Sequence, residues 1–153
     1  MRDGAAAWEI RGVLDEIIRS AAQLLDAPVQ KEGDSWFIDV WVFLDPHDES
    51  VEPRRQIVQL FGGESGDLLY LSSTIGPYEE GMSLADMLRG MVGALHCSLH
   101  LAKGPDGAES LRVASAIETD DLDPERLSKR VREVAVFADR FEADLFGRDV
   151  DVR

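Results

Sequence analysis

The stretch Trp36-Phe37-Ile38-Asp39-Val40-Trp41-Val42-Phe43-Leu44 decides how this chain folds. Aromatic and β-branched residues dominate it, and Asp34 on one side and Asp45-Pro46 on the other bound it, so it reads as a strand. Successive side chains of a strand point to opposite faces. Trp36, Ile38, Val40, Val42 and Leu44 therefore share one face, and Phe37, Asp39, Trp41 and Phe43 share the other. Helices can cover the first set. The aromatic set still needs shielding, by curvature, by a subunit or by a ligand, unless both faces are internal core.

Downstream of this strand, a polar loop leads to two more, Gln56 to Phe61 and Leu68 to Ile75, joined by the glycine-rich hairpin loop Gly62 to Asp67. Ile57 and Phe61 alternate against Val58 and Leu60, which extends a second apolar surface across the sheet. Upstream, Ile10, Val13, Leu14, Ile17, Ile18, Ala21, Leu24 and Leu25 form one stripe at 100° per residue, predicting an amphipathic helix from about Ala5 to Ala27. Pro28 and the Lys31-Glu32-Gly33-Asp34 cluster end it and open a turn.

In the second half, Ser83 caps a helix running to about Ala94, with Asp86 completing a capping-box-like pair. His96 to Ala102 and Ser110 to Ile117 read as a second hairpin across Lys103 to Gly107. Asp123-Pro124 opens a final helix, residues 124 to 146, which Gly147 stops. The order α-βββ-α-ββ-α predicts an α+β fold. It is a five-stranded antiparallel sheet with the two long helices packed on it, in a single domain spanning residues 1–153.

Thirty acidic against sixteen basic side chains give a formal net charge of -14. A field of that sign repels phosphate backbones and anionic lipid, so neither nucleic-acid binding nor membrane insertion is expected, and it speeds encounter with a basic partner. Glu9, Arg11, Asp15 and Glu16 interrupt the apolar core that a signal peptide would need, and no apolar run is long enough to span a membrane. One cysteine, Cys97, forms no intramolecular disulfide and fits a reducing compartment, so a cytoplasmic location is expected.

His96, Cys97 and His100 invite a metal reading, since imidazole and thiolate suit zinc and related ions. On a strand His96 and His100 share one face while Cys97 points to the other, so at most two of the three converge, and the third histidine, His47, is in a distant loop. Gly62-Gly63-Glu64-Ser65-Gly66 lacks the lysine of a phosphate loop and leads into a strand. Asp45, His47, Asp48, Glu49 and Glu52 have neither the spacing nor the turn glycine of a calcium loop. No catalytic residue, metal ligand or cofactor is expected. The alternative is an enzyme or small-ligand domain whose sheet-face pocket uses His96, His100 and Asp39, and it requires those three groups to converge.

Leu71-Ser72-Ser73-Thr74-Ile75-Gly76-Pro77, Leu122-Asp123-Pro124-Glu125 and Ala138-Asp139-Arg140-Phe141-Glu142-Ala143-Asp144-Leu145-Phe146-Gly147, set in this element order, resemble the YbjN family and the related class I type III secretion chaperones. The resemblance implies a small dimeric protein, chaperone-like or regulatory, that holds a segment of another protein on hydrophobic patches and does no covalent chemistry. Candidate partner-binding residues are Phe37, Trp41 and Phe43 on the aromatic strand face and Trp8, which falls off its helix's apolar stripe, as does Val136. The helix from Ser83 has apolar residues around much of its girth, so Leu84, Met87, Leu88 and Met91 are candidate homodimer contacts.

Overall fold

In a computed structural model that describes residues 4–43, 47 and 50–147, with residues 4–10 described by their backbone alone, the chain runs α-ββββ-α-ββ-α. Its elements are α1 (Gly4–Leu24), β1 (Val29–Glu32), β2 (Ser35–Val42), β3 (Arg54–Gly62), β4 (Leu68–Pro77), α2 (Leu84–Gly90), β5 (Ser98–Lys103), β6 (Glu109–Glu118) and α3 (Pro124–Phe146). The strands form one antiparallel sheet in the order β1-β2-β3-β4-β6-β5.

The sheet has six strands where the sequence predicts five. The additional one, β1, occupies the segment read as a turn: Glu32 pairs with Ser35 across Gly33-Asp34, and Gly33 takes the positive φ of 59° that the tight reversal needs. Only four residues long and polar apart from Val29, β1 lacks the apolar alternation by which strands are recognised. It is an edge strand that the sheet templates.

Alternation on β2 sorts as the sequence predicts. Trp36, Ile38, Val40 and Val42 are buried, together with Val58 and Leu60 of β3, Leu69 and Leu71 of β4, and Val113 and Ile117 of β6. α3 crosses this face against β2, β3, β4 and β6, and α1 packs against α3. Leu127, Val131, Val134, Ala138 and Phe141 of α3 and Ile18, Ala21 and Ala22 of α1 complete the core. Asp15 ties α1 to β2, accepting the Trp36 indole N–H at 2.8 Å and Arg19 Nε at 2.8 Å. Those two bonds, that from Trp36 foremost, hold the Asp15 carboxyl below its ordinary value.

Local signals set the ends of α3. Asp123 accepts the Arg126 N–H at 2.8 Å with Pro124 at the first helical position, and Gly147 closes the helix at φ 63°. The predicted helix from Ser83 to Ala94 is shorter than expected and ends at Gly90. Gly90 sits so close to α3 that a Cβ there would lie 3.0 Å from the Phe141 ring, and Gly93 adopts φ 94°, which an apolar helical run cannot continue through. Residues 91–95 therefore form turns that lie over α3.

Candidate functional site

Covering one face of the sheet leaves the other open. Phe37, Asp39 and Trp41 of β2 point to it, as do Ile57, Gln59 and Phe61 of β3 and Tyr70 and Thr74 of β4. Large apolar side chains remain in solvent at one corner, where Trp41 is 45% and Phe43 60% exposed. Arg55 lies over the Trp41 ring at 5.2 Å and is ion-paired with Asp39, so it covers one side of the indole while the side chain as a whole stays 45% exposed. Phe61 and Tyr70 stack at 5.4 Å farther along. The aromatic face of β2 is thus a surface and not core, one of the two outcomes its alternation allows.

A buried ion cluster anchors this corner from behind. Val42 pairs with Arg54, and Arg54 Nε meets the fully buried Asp139 of α3 at 2.8 Å, with Glu142 at 3.9 Å. Deeper in the sheet, Gln56 donates to Ser73 Oγ at 2.8 Å and to the Thr74 carbonyl at 2.9 Å, which locks β3 to β4. Neither network is a cleft. Both fix the strands that display Trp41, Phe43 and Ile57.

The three polar groups of the alternative reading do not converge. Through the strand registers, Asp39 lies opposite Ile57, Thr74 opposite Arg112, and Arg112 opposite His100. Asp39 and His100 therefore fall on one row of the open face with four strand spacings between them, roughly 19 Å at about 4.8 Å each. His100 Nε2 is 2.7 Å from Ser98 Oγ, and Arg112 bonds Thr74 Oγ1 at 3.0 Å.

His96 is not on that row, because β5 begins at Ser98 and not at His96 as predicted. It lies in the preceding bend with Nδ1 3.2 Å from Glu133 Oε2 on α3. Glu133 Oε1 accepts the Leu95 N–H at 2.6 Å and the His96 N–H at 3.1 Å. Off the strand, Cys97 is free of strict alternation, and its Sγ also reaches Glu133, at 3.8 Å. His96 and Cys97 thus meet on one carboxylate, contrary to the expectation of opposite faces. The node closes a loop: burial alone would raise the Glu133 carboxyl, but the His96 and Leu95 N–H groups and the His96 ring outweigh it and hold it low. Burial first, then the Glu133 charge, pushes the Cys97 thiol up to about 12, the reverse of an activated nucleophile. Among the described residues, no three His, Cys, Asp or Glu side chains are grouped to hold a metal. Asp45, Asp48 and Glu49 of the acidic loop lie outside the described residues, as does the side chain of Trp8.

Of the other candidates, Met87 is buried at 3% exposure and belongs to the core, and Met91 packs partly against it. Leu84 is 39% and Leu88 64% exposed. Val92 at 85%, Leu95 at 81% and Leu101 at 46% are exposed as well, Val92 and Leu95 in the turns beyond the end of α2. No helix among the described residues is long and apolar enough to cross a membrane.

No family model matches this sequence, and no curated protein matches it. Among solved structures, YbjN from E. coli, described as a candidate transcription regulator, aligns at 12% identity with a TM-score of 0.53, over 84% of this chain and 89% of YbjN. The HopA1–SchA chaperone–effector complex aligns at 15% identity and a TM-score of 0.49, over 85% of this chain and 91% of that one. SycH, a type III secretion chaperone of Yersinia pestis solved with a fragment of YscM2, aligns at 16% identity and 0.43, over 74% and 86%. Over the residues it shares with YbjN, this chain has the fold of YbjN.

Proposed function

We propose that this protein is a non-catalytic polypeptide-binding module, chaperone-like or regulatory, that holds an extended segment of another protein on the open face of its sheet. The observation that carries this reading is the uncovered aromatic corner at the end of β2, where Trp41 and Phe43 stay in solvent and the paired strand is tied to α3 through Arg54 and Asp139. An aromatic side chain held at low conformational cost is the commonest anchor of protein recognition. Phe37 and Ile57 continue the apolar strip along the same face, and Trp8 is a further candidate contact. No cofactor is required. The wide separation of Asp39 from His100 and the raised Cys97 thiol favour binding over catalysis. The net charge of -14 favours a basic partner by steering its approach.

The test is affinity capture from the native cell with the wild-type chain and with Trp41→Ser/Phe43→Ser, each compared by mass spectrometry. Partners retained by the wild type and lost by the variant are the expected result. An identical captured set for both proteins would remove the sheet face from the reading.

The protein also forms a homodimer in this proposal, through Leu84, Leu88 and Leu101, with Met87 and Met91 beneath them. Large apolar side chains exposed at Leu84, Leu88 and Leu101 support this reading, since burying them between two copies removes them from water. Because Met87 is core, an exposed pair makes the cleaner variant: Leu88→Asp/Leu101→Asp is expected to give a folded monomer by light scattering. A wild-type monomer at micromolar concentration would refute the dimer.

A further inference from the structure

Acidic as the chain is, its cations are not evenly spread. Arg126, Lys129, Arg130, Arg132 and Arg140 of α3 make up five of its sixteen basic residues. Arg130 is committed to the sheet, donating to Ser115 Oγ at 3.1 Å and to the Ala116 carbonyl at 2.9 Å. Lys129, Arg132 and Arg140 instead line a groove of about 380 Å³ between α3 and the 91–95 turns. Its apolar walls are Val92, Val136 and Phe137. Among the described residues Arg132 makes no ion pair, Arg140 only lies over the Phe137 ring at 5.6 Å, and Lys129 meets the solvent-exposed Glu125 at 3.0 Å. The one acid in the lining, Glu133, is turned to the turn above it, with its oxygens taken by the Leu95 and His96 N–H groups and the His96 ring.

We infer that this groove is a second docking site, separate from the open sheet face, and that it takes a short acidic amphipathic peptide segment of a partner protein. Carboxylates of the segment pair with Arg132, Arg140 and Lys129, while one of its apolar side chains fills the space between Val92, Val136 and Phe137. The three cations act within about 10 Å, the range over which charges are felt at ordinary ionic strength, and at that range they outweigh the distant net negative charge. A nucleic-acid strand or an anionic membrane is disfavoured because each carries dense negative charge that the whole protein repels. Val136 thereby acquires a role: off the helix's core stripe, it forms the floor of the site.

The test is a fluorescence-anisotropy titration of the intact protein with a labelled peptide of alternating Asp/Glu and Leu/Phe. Controls are a peptide with Lys in place of its acids, one with Ser in place of its apolar residues, a single-stranded oligonucleotide and phosphatidylserine vesicles. Saturable binding of the acidic amphipathic peptide alone is expected, weakening about tenfold in Arg132→Glu, as for loss of a well-placed charge pair, and unchanged in Arg11→Glu, which alters net charge equally on α1. Circular dichroism checks that each variant is folded. The inference is overturned if the peptide does not bind, if Arg11→Glu weakens it as much as Arg132→Glu, or if the Ser peptide binds equally. Preferred binding of the oligonucleotide or the vesicles also overturns it. So does light scattering that shows the peptide binding only as an assembly dissociates, which would make the groove part of a subunit interface.

Discussion

At the residue scale, two buried or half-buried charges carry more weight than their number suggests. Arg54 is ion-paired with the fully buried Asp139, and breaking a buried pair costs about 3–5 kcal/mol, so Arg54→Ala is expected to lower the urea midpoint sharply. Glu133 gives a pH dependence. Its carboxyl is held below the unfolded value of 4.5, so the charged form contributes stability above that pH, and the contribution disappears as the pH falls through the lower folded value. Chemical unfolding between pH 6 and pH 3 should therefore show a smaller loss in Glu133→Gln than in the wild type. Cys97 should resist iodoacetamide at pH 8 in the native state and react once unfolded, because a thiol pushed up to about 12 holds almost no thiolate. None of these partnerships is legible in the sequence. Arg54 and Asp139, or His96 and Glu133, lie too far apart along the chain for any local pattern to join them.

Elements were legible where their signals are local. Asp123-Pro124 and Gly147 mark both ends of α3, and alternation marks β2, because caps and strand faces depend on near neighbours. The signals failed at β1, which has no apolar period, and at the end of α2, where packing stops a helix whose composition would continue. The same close packing recurs at the bulge of β4: a Cβ on Gly76 would stand 2.5 Å from the Phe146 ring. Gly76→Ala is expected to cost about 1–3 kcal/mol in thermal or urea unfolding, as overpacked sites do. Most of that loss should be recovered in Gly76→Ala/Phe146→Ala relative to Phe146→Ala alone, since the clash is gone. A deficit as large in the Phe146→Ala background would locate the strain in the glycine backbone instead.

For the whole molecule, a net charge of -14 repels itself in the compact state. Raising sodium chloride from about 20 mM to about 200 mM shortens the Debye length severalfold and should raise Tm. An unchanged or lower Tm would mean that attractive pairs such as Arg55–Asp39 outweigh the general repulsion. Composition made this charge plain, and alternation disclosed that β2 has two apolar faces; which face would stay open depended on where α1 and α3 come to rest, which no single strand records. The open face also carries a scale of length. Across the strands, the row from Asp39 through Ile57, Thr74 and Arg112 to His100 repeats at about 4.8 Å, whereas along a strand side chains on one face recur at roughly 6.8 Å. An extended peptide repeats its own same-side residues at roughly that second interval. A guest laid parallel to the strands is therefore commensurate with the lattice beneath it, and every other residue meets an equivalent station, while a guest laid crosswise is out of step from its first repeat, about 6.8 Å against about 4.8 Å. The sheet thus selects an orientation before any individual side chain selects a sequence.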